Sequence, residues 1–133
     1  MGQLVQFSGT IVSSPGAAAD CSFPAAVTQI QFSGGQSLIA NVSSLNAKAV
    51  NSPSAYVQLD GLGVGETVTQ GTFLYLRSNT AMVLRMTTFG APDLVAEIPI
   101  QGTVIYQFPQ AAYLKLLEAK GVGTVEYLVA GQQ

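Results

Sequence analysis

Apolar and polar side chains alternate with a two-residue period in short stretches that recur roughly every 8 to 15 residues, and Gly, Pro, Ser and Asn separate them. That period places successive side chains on opposite faces of an extended chain. Helical spacing is scarce. The pattern therefore predicts an all-β protein, a sandwich or barrel of about eight to ten strands. With 133 residues, the chain has the length of one domain, residues 1–133, and can bury a core of its own.

The first strand is expected from Gln3 to Val12, with Val5, Phe7 and Ile11 on one face and Gln6, Ser8 and Thr10 on the other. Ser13 to Asp20 then reads as a loop. Val27 to Phe32, a Gly34-Gly35 turn and Leu38, Ala40 and Val42 read as a second hairpin. The polar run from Ser43 to Ser54, closed by Pro53, has no clear period; it is either a crossing loop or a surface that orders on contact. Tyr56 to Asp60 and Glu66 to Thr69 flank a turn at Gly61 to Gly65.

Thr72 to Thr87 gives the sharpest expectation. A three-residue hairpin loop at Ser78-Asn79-Thr80 would set Arg77 opposite Ala81, Tyr75 opposite Val83 and Phe73 opposite Arg85. Leu74, Leu76, Met82 and Leu84 would then form an unbroken core face. The other face would carry Phe73, Tyr75, Arg77, Val83 and Arg85, an aromatic and arginine set of the kind that protein interfaces enrich. Either a second subunit covers that face, or a second sheet or the Ser43 to Ser54 loop covers it within the chain. Asp93 to Ile98 is interrupted by Pro99, which predicts an edge or a bulge, and Thr103 to Phe108 follows as a strand. For Gln110 to Lys120 a helix opened by Pro109 competes with a hairpin turning at Lys120-Gly121. The hairpin accounts for more residues, with Lys115 opposite Glu126, Leu116 opposite Val125, Leu114 opposite Tyr127 and Ala112 opposite Val129.

Composition narrows function. The chain has no histidine, 9% charged residues and 48% hydrophobic residues, where soluble domains carry roughly a quarter charged. Its surface must therefore be built largely from amides, hydroxyls and glycine, which makes it neutral and adhesive. Triads built on histidine are impossible, and the commonest zinc and iron sites lose their usual ligand. Asp20, Asp60, Glu66, Asp93, Glu97, Glu118 and Glu126 could pair as in a glycosidase, but no spacing singles out two of them. No catalytic, cofactor or metal residues are assigned, and the expectation is a protein that is not an enzyme and has no cofactor. The Gly61 to Gly65 segment lacks the Lys-Ser/Thr ending of a phosphate loop, and Asp60 with Glu66 lacks the alternating acidic pattern of a calcium loop.

A net charge of −2 with five scattered basic residues, Lys48, Arg77, Arg85, Lys115 and Lys120, argues against nucleic acid. Mean hydropathy is +0.38, yet no apolar run approaches the ~18 residues of a spanning helix, so no membrane partner is expected. The N-terminus resembles neither a secretory signal nor, with Gln6 in place of Ser or Thr, a myristoylation site. The lone Cys21 excludes an internal disulfide and has no basic neighbour to activate it.

Phe73-Leu74-Tyr75-Leu76-Arg77-Ser78-Asn79-Thr80-Ala81-Met82-Val83-Leu84-Arg85, followed by Gly121-Val122-Gly123-Thr124-Val125-Glu126-Tyr127-Leu128-Val129-Ala130-Gly131, resembles the small β-sandwich or jelly-roll virion proteins of tailed bacteriophages. The likeness lies in strand rhythm and composition, contains no diagnostic motif, and transfers no residue role. It implies an antiparallel, jelly-roll-like sandwich and a capsid decoration or cement protein, commonly trimeric. Such a protein would be made in the host cytoplasm and located on the virion, at the capsid surface, with itself and a major capsid or other virion protein as partners. The alternatives are a tail, baseplate or head-fibre component, and a carbohydrate-binding module using Tyr56, Tyr75, Tyr106, Tyr113 and Tyr127.

Overall fold

A computed structural model describes residues 3–13, 28–39, 41–42 and 46–132. The described residues form seven strands in antiparallel sheets: β1 (Gln3–Ser13), β2 (Thr28–Ile39), β3 (Asn41–Val42), β4 (Asn46–Gln58), β5 (Gln70–Thr88), β6 (Leu94–Gln107) and β7 (Leu114–Gln132). The fold is all-β, as the alternation predicts. Strands β1 and β2 make a two-stranded ribbon; the others form one sheet in which β3 and β4 pair with one side of β7, β5 with its other side, and β6 with the outer side of β5. Cys21 and most of the Ser13 to Asp20 loop lie outside the described residues.

Strands β5 and β7 run for 19 residues each, beyond the usual 3 to 10. They are long because the sheet folds back on itself. Gly71 and Thr88 are both register partners of Leu114, although a straight strand would hold them about 55 Å apart. The bend lies where every long strand of the sheet is irregular. Regular pairing lapses between Ser78 and Met82 of β5 and between Ser52 and Val57 of β4. On β6, Gly102 opposite Ser78 has φ of 87°; on β7, Gly121 faces both Met82 and Ser52.

Side-chain hydrogen bonds hold the corner. The Ser78 hydroxyl donates to the Thr80 carbonyl at 2.6 Å, the Thr80 hydroxyl donates to the Val122 carbonyl at 2.7 Å, and the Thr124 N–H donates to the Asn79 side-chain oxygen at 3.0 Å. Here Ser, Asn and Thr satisfy backbone groups that the bend removes from the ladder, a local competition with sheet bonding typical of these side chains.

Inside the fold lie Leu74, Leu76, Met82, Leu84 and Met86 of β5, Leu114, Leu117, Ala119, Val125, Tyr127 and Val129 of β7, Ile100 of β6 and Val50 of β4. The connection from β4 to β5 adds Leu59, Leu62 and Val68, each fully buried. Its glycines carry a real turn, with φ of 92° at Gly61 and 83° at Gly65, and the Asp60 N–H donates to the buried Tyr127 hydroxyl at 2.7 Å. Each of these leucines removes apolar area worth about 1.5–3 kcal/mol from water.

Several expectations are corrected. Ser78-Asn79-Thr80 is the corner of one strand, so Phe73 does not face Arg85; Phe73 pairs with Gln107 and Ala130, and Arg85 with Glu97 and Glu118. Leu74, Leu76, Met82 and Leu84 still share the core because the residues between Leu76 and Met82 preserve the two-residue phase. Lys120-Gly121 likewise lies inside β7. Lys115 therefore pairs with Asp93 rather than Glu126, and Leu114, Leu116 and Ala112 do not face Tyr127, Val125 and Val129. The helix alternative reduces to a 3-10 turn over Gln110–Ala112, because burial of Leu114, Leu117 and Ala119 holds the following residues in a strand. Gly34-Gly35 is no turn; it lies within β2 opposite Phe7 and Gln6. From Asn46 onward the Ser43 to Ser54 run is strand β4, whose apolar signal was faint because Val50 is its one buried residue. Pro99 does sit on an edge strand, β6, the position in a sheet where proline is tolerated.

Gly123 has no room for a side chain: a Cβ there would run into the Thr80 hydroxyl and lie 2.9 Å from the Asn79 amide oxygen. Gly123→Ala should destabilise the protein by about 1–3 kcal/mol, read from urea unfolding monitored by tyrosine fluorescence.

Candidate interaction faces

The corner divides the five outward residues of β5 into two groups. Phe73, Tyr75 and Arg77 precede it; Val83 and Arg85 follow it. The first group is partly covered by the chain itself. Phe73 is buried in a small second cluster with Ala130, against which Tyr75, Ile105, Leu128 and Phe7 pack. The Phe7 ring comes from the ribbon and lies 5.7 Å from that of Phe73, tilted by 35°. Gly34 makes this possible, because a Cβ at Gly34 would stand 2.6 Å from the Phe7 ring. An aromatic ring laid across a glycine on the neighbouring strand fixes register and shields the bare backbone.

Tyr75 is half-buried and its hydroxyl donates to Glu126 Oε1 at 2.9 Å. That bond, with burial second, holds the phenol above its usual pKa. Arg77 is exposed, opposite Glu126 and Thr103 in register.

Beyond the corner, Arg85 organises a charged cluster. Its Nε and Nη2 donate to the two oxygens of Glu118 at 2.9 and 2.8 Å, a bidentate fork, and its guanidinium lies 3.9 Å from the centre of the Tyr56 ring. Lys120 Nζ lies 4.7 Å from the centre of the same ring. In register order Gln58, Glu118, Arg85 and Glu97 form one row across β4, β7, β5 and β6. The Glu118 bond raises the already high pKa of Arg85. Burial, then Glu97, pushes the Tyr56 phenol up, and its hydroxyl is shielded from water without completing a hydrogen bond. Val83 is half-buried beside Lys120 and Pro99.

A third region was not foreseen in the sequence. At the end of the sheet Phe89 stacks on Tyr113, with centroids 5.0 Å apart and planes 12° apart. Leu94 and Val95 are 69% and 59% exposed, enough to leave an apolar patch open beside the Asp93–Lys115 ion pair. Leu94 and Val95 fall within the strand expected from Asp93 to Ile98, and an alternating pattern there does not report that both side chains are exposed.

The tyrosines proposed as a sugar platform are dispersed. Tyr127 is fully buried, Tyr56 packs against Arg85 and Lys120, Tyr75 binds Glu126, Tyr106 packs on Phe108 and Tyr113 stacks on Phe89. Among the carboxylates, Asp60 meets Lys48 at 3.4 Å, Asp93 meets Lys115 at 2.7 Å and Glu118 meets Arg85. No three of His, Cys, Asp or Glu among the described residues gather as metal ligands, and no described helix is long and apolar enough to cross a membrane. No family model, curated protein or solved structure matches this chain.

Asp93 accepts hydrogen bonds from Lys115 and from the Gly90 N–H at 3.0 Å, and these, the lysine first, hold its carboxyl below the ordinary 3.8. A folded-state pKa lowered in this way contributes stability that is present above the unfolded value and lost as pH falls through the folded one. Asp93→Asn should therefore flatten the loss of thermal stability below about pH 4, measured by melting both proteins across the acid range. Tyr56→Phe should leave the melting temperature unchanged or slightly raised, since the hydroxyl it removes has no hydrogen-bond partner.

Proposed function

We propose that this chain is a non-enzymatic structural protein of a virion, of the capsid decoration or cement type, stabilising an assembled shell by bridging neighbouring subunits. The supporting observation is the distribution of charge. The first 47 residues contain a single charged residue, Asp20, while three acid–base pairs of the body tie most of its lysine and arginine into ion pairs. A neutral amide and hydroxyl surface suits contact with another protein, and ligands that bind only the assembled state stabilise it by mass action.

On this reading the folded sheet is one β-sandwich of jelly-roll-like type. Arg77 is the exposed member of the aromatic and arginine set; Tyr75, Val83 and Arg85 are half-buried, and Phe73 is buried in the cluster that Phe7 joins. The partners on this reading are the chain itself and a major capsid or other virion protein.

The reading predicts that the chain copurifies with intact particles at a fixed copy number per particle, measured by quantitative mass spectrometry. Particles lacking it should release their genome at a lower temperature. Absence from purified particles would overturn the proposal, and binding of the isolated chain on a glycan array would favour a carbohydrate-binding module instead.

A further inference from the structure

The two sheets treat their free edges differently. A strand at the border of a sheet presents unpaired N–H and C=O groups that can template pairing with another chain, and folded proteins blunt such borders with charges, proline and bulges. The body follows that rule on both sides. Strand β4 carries Lys48, Pro53 and an irregularity between Ser52 and Val57, and β6 carries Glu97, Pro99 and an irregularity near Gly102. The ribbon does not. Gln3–Ser13 and Thr28–Ile39 contain no proline and no charged residue, and among the described residues each of the two strands is paired on one side only.

The ribbon is also weakly supported. Two strands alone are marginal in water, and the ribbon rests on the body near its base, where Phe7 meets Phe73 and the chain passes from β2 to β3 beside β7. Its register continues six pairs beyond Phe7 and Gly34, to Ser13 and Thr28.

We propose that this ribbon is a self-association element: the open edge of one copy pairs with the ribbon of a second copy of the same chain. Electrostatics selects that occupant. Pairing between copies brings identical segments together, and like charges placed opposite one another across strands destabilise a sheet. A segment with no charge meets no such penalty from itself, whereas either edge of the body would bring Lys48 or Glu97 toward its own copy. The exposed ribbon side chains Gln6, Ser8, Thr10, Gln31 and Ser33 offer amides and hydroxyls that hydrogen-bond equally well to their own kind. This inference deepens the self-association part of the proposed function by naming the element that carries it, and it is tested on the isolated chain in solution, apart from any particle.

The test uses the full chain. Gln6 and Gln31 are both exposed and are not register partners, so Gln6→Lys with Gln31→Lys places like charges on a ribbon without opposing them within it. The unaltered protein should show a mass that is a multiple of 13.8 kDa by light scattering behind a sizing column. The double lysine variant should associate at least about tenfold more weakly at low salt, with an unchanged circular dichroism spectrum. Mixing it with Gln6→Glu/Gln31→Glu should restore association between the two variants. A monomeric unaltered protein, undiminished association of the lysine variant, or failure of the oppositely charged pair to associate would each overturn the proposal.

Discussion

Everything in the body of this protein depends on a corner that four strands turn together. A sheet with β5 and β7 of 19 residues cannot bury both ends of its apolar face while flat, because the face would be far longer than any partner the chain could supply. Bending at Ser78–Met82, Gly102, Gly121 and Ser52–Val57 lets the face close on itself. The hydroxyls and amide of Ser78, Asn79 and Thr80 then satisfy backbone groups across the break. Tyr127 and the Leu59-to-Val68 connection complete the enclosure.

The same bend governs what the outside can do. It distributes one strand's outward side chains between two surroundings: an aromatic cluster shared with the ribbon, and a row of alternating charge centred on Arg85. The aromatic cluster is an attachment point within the chain, where Phe7 crosses Gly34 to reach Phe73. In the charged row Arg85 is bracketed by Glu97 and Glu118 in register, and Lys120 lies over the same Tyr56 ring. Charged side chains are thus absent from the ribbon strands and gathered on the body.

Strand character and the inward set Leu74, Leu76, Met82 and Leu84 were legible in the sequence, because a two-residue period reports burial directly. The connections were not. Ser-Asn-Thr, Lys-Gly and Gly-Gly carry the same conformational preferences whether the chain reverses or merely turns a corner. Only the far partners decide between the two: Met82 fits against Gly121, and Phe7 against Gly34, through contacts no local window contains. The outward face was read as one surface for the same reason. The β4 strand escaped notice because its pairing rests on backbone bonds to β7, with Val50 alone signalling the core. The Phe89 and Tyr113 stack joins residues on either side of β6, so sequence proximity gave no sign of it.

Because β5 and β7 each pass through both halves of the folded sheet, neither half owns a complete set of strands. Loosening one half strips paired neighbours from the other, so opening must be cooperative throughout the body. Forming it is correspondingly slow work: β5 finds β7 across pairings such as Leu76 with Tyr127, and such distant partners must be brought together before burial rewards them. The chain therefore passes through its folding with the two uncharged ribbon strands already made and the sheet not yet closed. A cell making this protein must complete a long-range closure while an open, neutral pair of strands is available to its neighbours.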